Sequence, residues 1–283
     1  MEHAHREALM ALLAHHALHI SHLPALDDII LQHENILSAL YRKKPLFYKM
    51  LFKYFRFYTA SAIFSLYYRQ PTLSLKLAKS LIVRQHKSIS INTLNSLFTL
   101  LSVSGRIEIY RRPDHSGDYF YRPTESVKQE ISDLIASLLF PWQTHDQEPP
   151  IFLPADISAR LPQFFKRYGE FIFQQITLTG ILPECSLFIE KDAGHMIMLI
   201  LYTESIRQNS KRLLISPRKI ACYGHVSRSH VDGVLKAAQA AGYLSVENNL
   251  FITLSGTFIT LFRRYFSLYL AQILYAFDLL PEA

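Results

Sequence analysis

The sequence predicts a mainly α-helical fold with two small β-hairpins, arranged as two similar units joined by connecting helices. Long stretches carry apolar residues at helical spacing, whereas strand-like alternation occurs in only two short segments, each after a helix. The two helix–hairpin stretches also align with each other without a gap, which indicates an internal duplication. We therefore predict an N-terminal helical segment over 1–40, a first unit over 41–140, a linker with connecting helices over 141–194, and a second unit over 195–283.

Length and composition agree with two domains in a reducing compartment. The chain has 283 residues, of which 49% are hydrophobic, so it is long enough for two ordinary cores. Two cysteines without a CxxC pattern argue against a disulfide framework and against a cysteine-based zinc site. The beginning of the sequence does not read as a signal peptide, and the most apolar runs are short or are interrupted by Arg263 and Arg264. We expect a cytoplasmic protein with no membrane span.

Basic residues are concentrated in one part of the chain. The whole chain has 30 Lys and Arg against 23 Asp and Glu, a formal net charge of +7. Between Tyr41 and Pro123 there are fifteen basic residues and three acidic ones, so the remainder is net acidic. This segregation indicates an electrostatic surface for an acidic partner such as nucleic acid.

The first unit combines two predicted helices with a basic, aromatic hairpin. One helix is expected over Leu73–Val83 and a second from Ile89 onward, followed by strands over Arg106–Arg112 and Tyr119–Arg122 around a turn-rich 113–118. Projection of the second helix at 3.6 residues per turn separates an apolar face from a polar one. The apolar face holds Leu94, Leu97, Phe98 and Leu101; the polar face holds Asn92, Ser96 and Thr99, flanked by Thr93 and Asn95.

The second unit is joined to the first by a polar, proline-bearing linker, predicted over Phe140–Pro150 and followed by one or two helices over 156–182. Its own helices are expected over His195–Arg207, Pro217–Tyr223 and Ser227–Ala241, before a hairpin that turns at Asn248–Asn249. Ser216 is the expected N-cap of the middle helix and Pro217 its first residue. The closing segment, Gly256–Leu280, is apolar nearly all round, so it must be buried against the other unit or against a second subunit, which leaves a homodimer open.

Three segments of the second unit resemble the winged helix-turn-helix domain of bacterial regulators of the MarR and GntR type. They are Ser216–Ala221, Val226–Val231 and Ala240–Leu244. The first unit is similar to a lesser extent, because its inter-helix turn, Arg84–Ser88, is longer and the Ser-Arg-Ser triplet is missing. The resemblance implies two winged helix-turn-helix units that bind double-stranded DNA, each with its later helix in the major groove and its hairpin as a wing.

The residues expected to contact DNA follow from the polar faces and from the resemblance. Small outward residues let a helix enter the major groove, and polar side chains near its amino end can reach base edges and phosphates. The wing role of the two arginines is implied by the resemblance alone. The predicted contacts are Arg218, Ser227, Arg228, Ser229, His230 and Lys236 in the second unit, Asn92, Thr93, Asn95, Ser96 and Thr99 in the first, and Arg111 and Arg112 in its wing.

Catalytic and metal-binding patterns are missing from the sequence. It contains no GxSxG, HExxH, GxGxxG or P-loop motif, so we expect no enzyme and no cofactor. His15 and His19 have the i, i+4 spacing of metal ligands, but no carboxylate or cysteine completes a site, so no metal is predicted. Aromatic residues over Phe47–Tyr58 favour a core or dimer interface over a ligand pocket, although a small-molecule effector stays open.

These observations favour a transcription regulator that reads two half-sites with two different recognition helices. One alternative is a plasmid-type replication initiator, which also joins two winged domains. A second alternative is a scaffold that uses its winged domains to bind a protein partner instead of DNA. The operator, the direction of regulation and the oligomeric state are not encoded in these patterns.

Overall fold

Helices form most of the chain, and strands are confined to two small antiparallel sheets, in agreement with the predicted fold class. The structure is a computed structural model that describes residues 2–51, 53–85, 89–113, 117–145 and 154–280. It begins with α1 (Glu2–Ser21) and α2 (Leu26–Lys43). The buried face of α2 includes Leu26, Ile29, Ile30, His33 and Leu37, which recur at the spacing of an amphipathic helix.

The first unit consists of helices before and after a two-stranded sheet. Strands β1 and β2 pair in antiparallel register, with Ile109 opposite Tyr121. Residues 86–88 of the predicted inter-helix turn and 114–116 of the predicted hairpin turn lie outside the described residues. The elements are α3 (Pro45–Leu51), α4 (Tyr54–Arg69), α5 (Leu75–Gln85), α6 (Ile91–Val103), β1 (Ile107–Arg111), β2 (Tyr119–Pro123) and α7 (Glu125–His145).

The predicted linker starts later than the sequence indicates. Residues 140–145 belong to α7, which continues through Pro141 and buries both Pro141 and Trp142. Proline removes one helical hydrogen bond, but burial of the large Trp142 side chain offsets that loss. The rest of the predicted linker, 146–150, lies outside the described residues.

One long helix and several short helical segments connect the two units. The long α8 (Pro154–Phe173) is followed by α9 (Leu178–Ile181), by one 3-10 turn over Pro183–Cys185, and by α10 (Ser186–Ile189). The first two helices lie where the sequence predicts one or two helices over 156–182.

The second unit contains a three-stranded sheet in the order β3-β5-β4. The hairpin β4–β5 turns at Asn248 and Asn249, which have the positive φ values of 52° and 53° that asparagine tolerates. Strand β3, which places Leu213 opposite Ile252, is not predicted from the sequence. The elements are α11 (Gly194–Arg207), β3 (Arg212–Leu214), α12 (Pro217–Gly224), α13 (Arg228–Ala240), β4 (Leu244–Glu247), β5 (Phe251–Leu254) and α14 (Gly256–Phe277).

The apolar closing helix α14 is buried inside the chain. It packs along α1 and against α7 and α8, so the N-terminal helix and the first unit both cover it. Its fully buried side chains include Phe258, Phe262 and Phe266. Across the described parts of the chain, no helix combines the length and the apolar character needed to cross a bilayer.

The two units share one order of elements. In the first unit α4, α5 and α6 precede the hairpin β1–β2 and α7 follows it; in the second, α11, α12 and α13 precede β4–β5 and α14 follows. Ser90 caps α6 by accepting the N–H of Thr93, and Ser227 caps α13 by accepting the N–H of His230. The two serines are the residues that the gapless alignment of the sequence pairs with each other. Only the second unit has a strand, β3, between its first two helices.

Candidate nucleic-acid interface

The helix α13 separates a buried apolar face from an exposed small and polar face. Val231, Val234, Leu235 and Ala238 are buried. Because these side chains hold the helix onto the unit, the opposite face is left to solvent. That exposed face carries Ser229, Gly233, Lys236 and Ala240, as the helical projection predicts.

Local caps define both ends of α12. Ser216 accepts the N–H of Lys219, and Pro217 is the first residue of α12, as expected. The helix ends at His225, which has the left-handed values φ 49° and ψ 39°. The His225 ring stacks on Tyr41 of α2, with ring centroids 5.5 Å apart. The turn between the two helices is therefore held by the N-terminal segment as well as by its own unit.

The exposed basic residues of α12 and α13 differ in whether they have a charged partner. The Arg228 side chain is 58% exposed, and its Nε lies 3.7 Å from Asp232 Oδ2 one turn later. An exposed contact of this kind contributes little energy, so Arg228 can exchange it for a phosphate or a base. Arg218 and Lys236 are exposed and have no charged partner among the described residues. Ser227 and Ser229 share a hydrogen bond of 3.1 Å between their hydroxyls.

The ring of His230, one of the expected DNA contacts, has a hydrogen-bond partner elsewhere in the chain. Its Nε2 lies 2.8 Å from the carbonyl oxygen of Asp192, so the ring donates to the segment before α11. The Asp192 carboxylate in turn lies 3.2 Å from Lys53 Nζ at the start of α4. His230 therefore anchors α13 to a residue that also contacts the first unit, and the ring is only partly exposed.

The helix α6 presents a similar polar face in the first unit. Leu94, Leu97, Phe98 and Leu101 are buried, as the projection predicts. The residues Asn92, Thr93, Asn95, Ser96 and Thr99 are all exposed. Two of their hydroxyls have local partners: Ser96 donates to the carbonyl of Asn92, and Thr93 shares a hydrogen bond with the cap Ser90. Asn92, Asn95 and Thr99 make no side-chain hydrogen bond within the described residues.

A groove of about 420 Å³ runs between α4 and α6 and includes residues that the sequence does not indicate. Thr93 and Ser96 line it from α6, and Arg56 and Thr59 line it from α4. Arg56 is exposed, so a guanidinium stands beside the polar face of α6. No spacing along the chain indicates that Arg56 belongs to this group, because only the packing of α4 on α6 brings the four residues together.

Arginines at the β1–β2 hairpin are stacked on aromatic rings. The Arg111 guanidinium lies 4.6 Å from the centre of the Tyr119 ring and donates to its hydroxyl at 2.6 Å. Arg112 lies over Phe120 at 4.8 Å. Cation–π stacking restricts the side chains without neutralising their charge, so both arginines stay available to phosphates.

Other cations in the basic segment are paired with carboxylates. Arg122 is hydrogen-bonded to Glu108, an interaction that raises the pKa of Arg122. Arg106 and Lys44 both contact the buried carboxylate of Glu130. In the first unit, exposed cations that lack a carboxylate partner among the described residues include Arg56, Lys76, Arg84 and Arg111.

The β3-β5-β4 sheet carries less unpaired positive charge than the β1–β2 hairpin. Its one arginine on the sheet, Arg212, lies 4.1 Å over the Phe251 ring and 3.0 Å from Glu247. The Glu247 carboxylate offsets the positive charge of Arg212, so this sheet attracts anions less than the β1–β2 hairpin does.

The N-terminal histidines do not assemble a metal site in the described part of the chain, where no group of three or more His, Cys, Asp or Glu side chains converges. His16 is buried, and this burial lowers its pKa, whereas His15 and His19 are exposed on α1.

Comparison of the chain with family models, with curated proteins and with solved structures finds no match in any of the three.

Proposed function

We propose that this chain is a sequence-specific, double-stranded DNA-binding regulator built from two winged helix-turn-helix units. The observation that carries the proposal is the arrangement of the second unit. Helix α12 leads through a tight turn into α13, and a β3-β5-β4 sheet with a hairpin follows. A helix-turn-helix places its second helix in the major groove, and α13 is the helix whose exposed face is small and polar.

The exposed residues of α13 and α6 have the chemistry that base reading requires. Arg228 can form a bidentate contact with guanine, and Asn92 or Asn95 can do so with adenine. Gly233 and Ala240 leave room for α13 to lie deep in a groove about 12 Å wide. We assign base reading to Arg228, Ser229 and Lys236 in the second unit and to Asn92, Asn95 and Thr99 in the first.

Phosphate contacts are assigned to the free cations around these helices. Arg218 stands at the start of α12, and Arg56 stands in the groove beside α6. Arg111 and Arg112 extend the positive surface along the first wing. Contacts of this type fix register and orientation without reading sequence.

Because the exposed faces of α6 and α13 differ, the two units read different half-sites. In helix-turn-helix dimers, half-sites lie about 34 Å apart, one turn of DNA. His230, Asp192 and Lys53 connect α13 to the start of α4, so the spacing between the two half-sites is set within one chain.

Selection of genomic fragments on the purified protein tests this function. Fragmented duplex DNA is captured at low salt, sequenced, and measured again at several salt concentrations. We expect a few loci to be enriched and their affinity to fall steeply with salt, because bound cations release counterions from the phosphates. Loci over promoters support the regulator, and direct repeats beside an origin support a replication initiator instead. Failure to bind DNA at low salt contradicts the proposal and favours a protein partner.

A further inference from the structure

Two exposed histidines of α1, His15 and His19, lie on one face of the helix and take no part in the proposed DNA contact. Residues four apart in a helix are neighbours, with β-carbons about 5–6 Å apart. Both histidines lie near His16: the rings of His15 and His16 have centroids 5.6 Å apart, and the pKa of His16 is lowered by burial and then by His15 and His19. Two imidazoles at this helical spacing can share one metal ion.

One chain supplies only part of such a site. Zinc in proteins is usually held by four ligands in a tetrahedral arrangement. The next histidine, His22, has its ring turned back onto the helix, because its Nδ1 donates to the carbonyl oxygen of Leu18 at 2.8 Å. No three His, Cys, Asp or Glu side chains converge anywhere in the part of the chain that the structure describes. Completion of the site therefore requires ligands from another molecule.

The face of α1 that carries the pair is exposed and uncharged. Leu9, Leu13 and Ile20 are buried on the opposite face, where α1 packs along α14. From Ala8 to Leu26 the sequence contains no Asp, Glu, Lys or Arg, whereas a solvent-facing helix surface is normally charged or polar. The exposed residues beside the pair include Ala8, Ala11, Leu12, Ala14 and Leu18.

A second copy of the chain fits this face. In a two-fold symmetric dimer the same patch lies on both sides of the contact, so a charged patch would meet its own charge. The chain as a whole carries a net charge of +7, which opposes self-association, but the exposed face of α1 adds no charge to such a contact. The same symmetry brings His15 and His19 of both copies together. The four imidazoles then match the coordination number of zinc.

We propose that His15 and His19 bind a zinc ion together with the same two histidines of a second copy, and that this ion holds a dimer through α1. Neutral imidazole is a suitable ligand for zinc, and zinc accepts the tetrahedral arrangement that two crossing helices can offer. The site contains none of the residues assigned to DNA. It is measured without DNA, so its failure would leave the proposed function intact.

The mass of the full, untagged chain in solution tests the shared site. Sedimentation equilibrium is measured with EDTA, with zinc, and with magnesium, which prefers oxygen ligands. We expect the single-chain mass of 32.7 kDa in EDTA and in magnesium, and a doubled mass in zinc with one ion bound per two chains. A single chain that holds zinc by itself, a dimer that persists in EDTA, or zinc-driven aggregates of no defined mass would each overturn the proposal.

Variants at exposed positions of α1 assign the ligands and the contact. His15→Ala and His19→Ala should each abolish the zinc-dependent doubling of mass. His5→Ala, the matched control, changes an exposed histidine that has no histidine three or four residues away, and it should dimerise as the native chain does. Leu18→Lys should weaken the dimer, because the two-fold contact brings the added charges together. Native dimerisation in His15→Ala, His19→Ala or Leu18→Lys, or its loss in His5→Ala, would overturn the assignment.

Discussion

Gly105 and Gly242 hold the same left-handed backbone conformation, with φ of +72° and +76°, immediately beyond the ends of α6 and α13. In each case the next residue closes the helix: the N–H of Arg106 donates to Leu101, and the N–H of Tyr243 donates to Ala238. Glycine is favoured there because other residues are strained at positive φ. The same cap in two units of different sequence supports a common architecture for both.

Alanine at either glycine should destabilise the protein by about 1–2 kcal/mol through backbone strain alone. A Cβ at Gly105 or Gly242 would meet no atom within 4 Å, so no clash contributes. Gly233→Ala is the matched control, because Gly233 is helical, exposed and equally open. This control should stabilise by up to about 1 kcal/mol. Urea unfolding of the three variants measures the difference; equal effects at all three positions would contradict the assignment of strain.

The buried pair His33 and His195 should make stability fall in acid. Their ring centroids are 6.1 Å apart, and burial lowers the pKa of His33 to about 4 and of His195 to about 3. Below pH 6.5 the unfolded chain takes up protons that the folded chain does not, so the free energy of unfolding decreases as pH falls from 6.5 towards 4 and then 3.

Each of these histidines should contribute about 1.4 kcal/mol per pH unit over the range where only the unfolded chain is protonated. Urea unfolding at pH 8, 7, 6 and 5 measures the slope. The slope of the free energy of unfolding against pH should be smaller for His33→Gln than for His19→Gln, which changes an exposed histidine. The difference should correspond to the uptake of one proton on unfolding. An identical slope in native protein and His33→Gln would show that His33 is not held neutral in the fold.

The carboxylate of Glu130 should matter far more than that of Glu108, although both pair with arginine. Glu130 is buried and contacts Arg106 and Lys44, whereas Glu108 and Arg122 are both about half exposed. Glu130→Ala leaves the nearly buried Arg106 unpaired, so we expect a loss of about 3–5 kcal/mol; Glu108→Ala should cost less than about 1 kcal/mol. Thermal or urea unfolding compares the two, and equal losses would contradict the difference in burial.

Arg228 and Arg111 should affect DNA binding in different ways if α13 reads bases and the wing contacts phosphates. On a selected site, Arg228→Ala should cost about 1–3 kcal/mol and relax the preference for one base pair. Arg111→Ala should weaken all sequences alike and reduce the slope of log K against log salt by about one. Binding curves on selected and unrelated duplexes at four salt concentrations distinguish these outcomes. Native affinity in both variants would remove these contacts from the interface.

Periodicity and cap chemistry predict much of the helical fold. The buried faces of α6 and α13, the cap at Ser216 and the turn at Asn248–Asn249 all depend on neighbours within a few residues, so local patterns reveal them. Strand β3 has only three residues, too few to display an alternation. Its pairing with β5 is decided by residues far away along the chain.

The parts that local patterns miss depend on tertiary contacts. Pro141 is typical of a linker, but α7 continues through it because Trp142 is buried. His230 lies on the amino turn of α13 among expected DNA contacts, yet the distant carbonyl of Asp192 orients its ring. Arg56 joins the polar face of α6 through the packing of α4, which no spacing along the chain indicates.

The most direct test of the account is the ratio of affinities for a selected duplex and for a scrambled duplex of equal length, measured at one physiological salt concentration. We expect a ratio of about 10³ or more for the native chain. A variant with Asn95→Ala and Arg228→Ala, which alters the exposed faces of both α6 and α13, should bring this ratio close to one and retain most of the affinity for scrambled DNA. A ratio near one in the native chain would contradict sequence-specific recognition by α6 and α13.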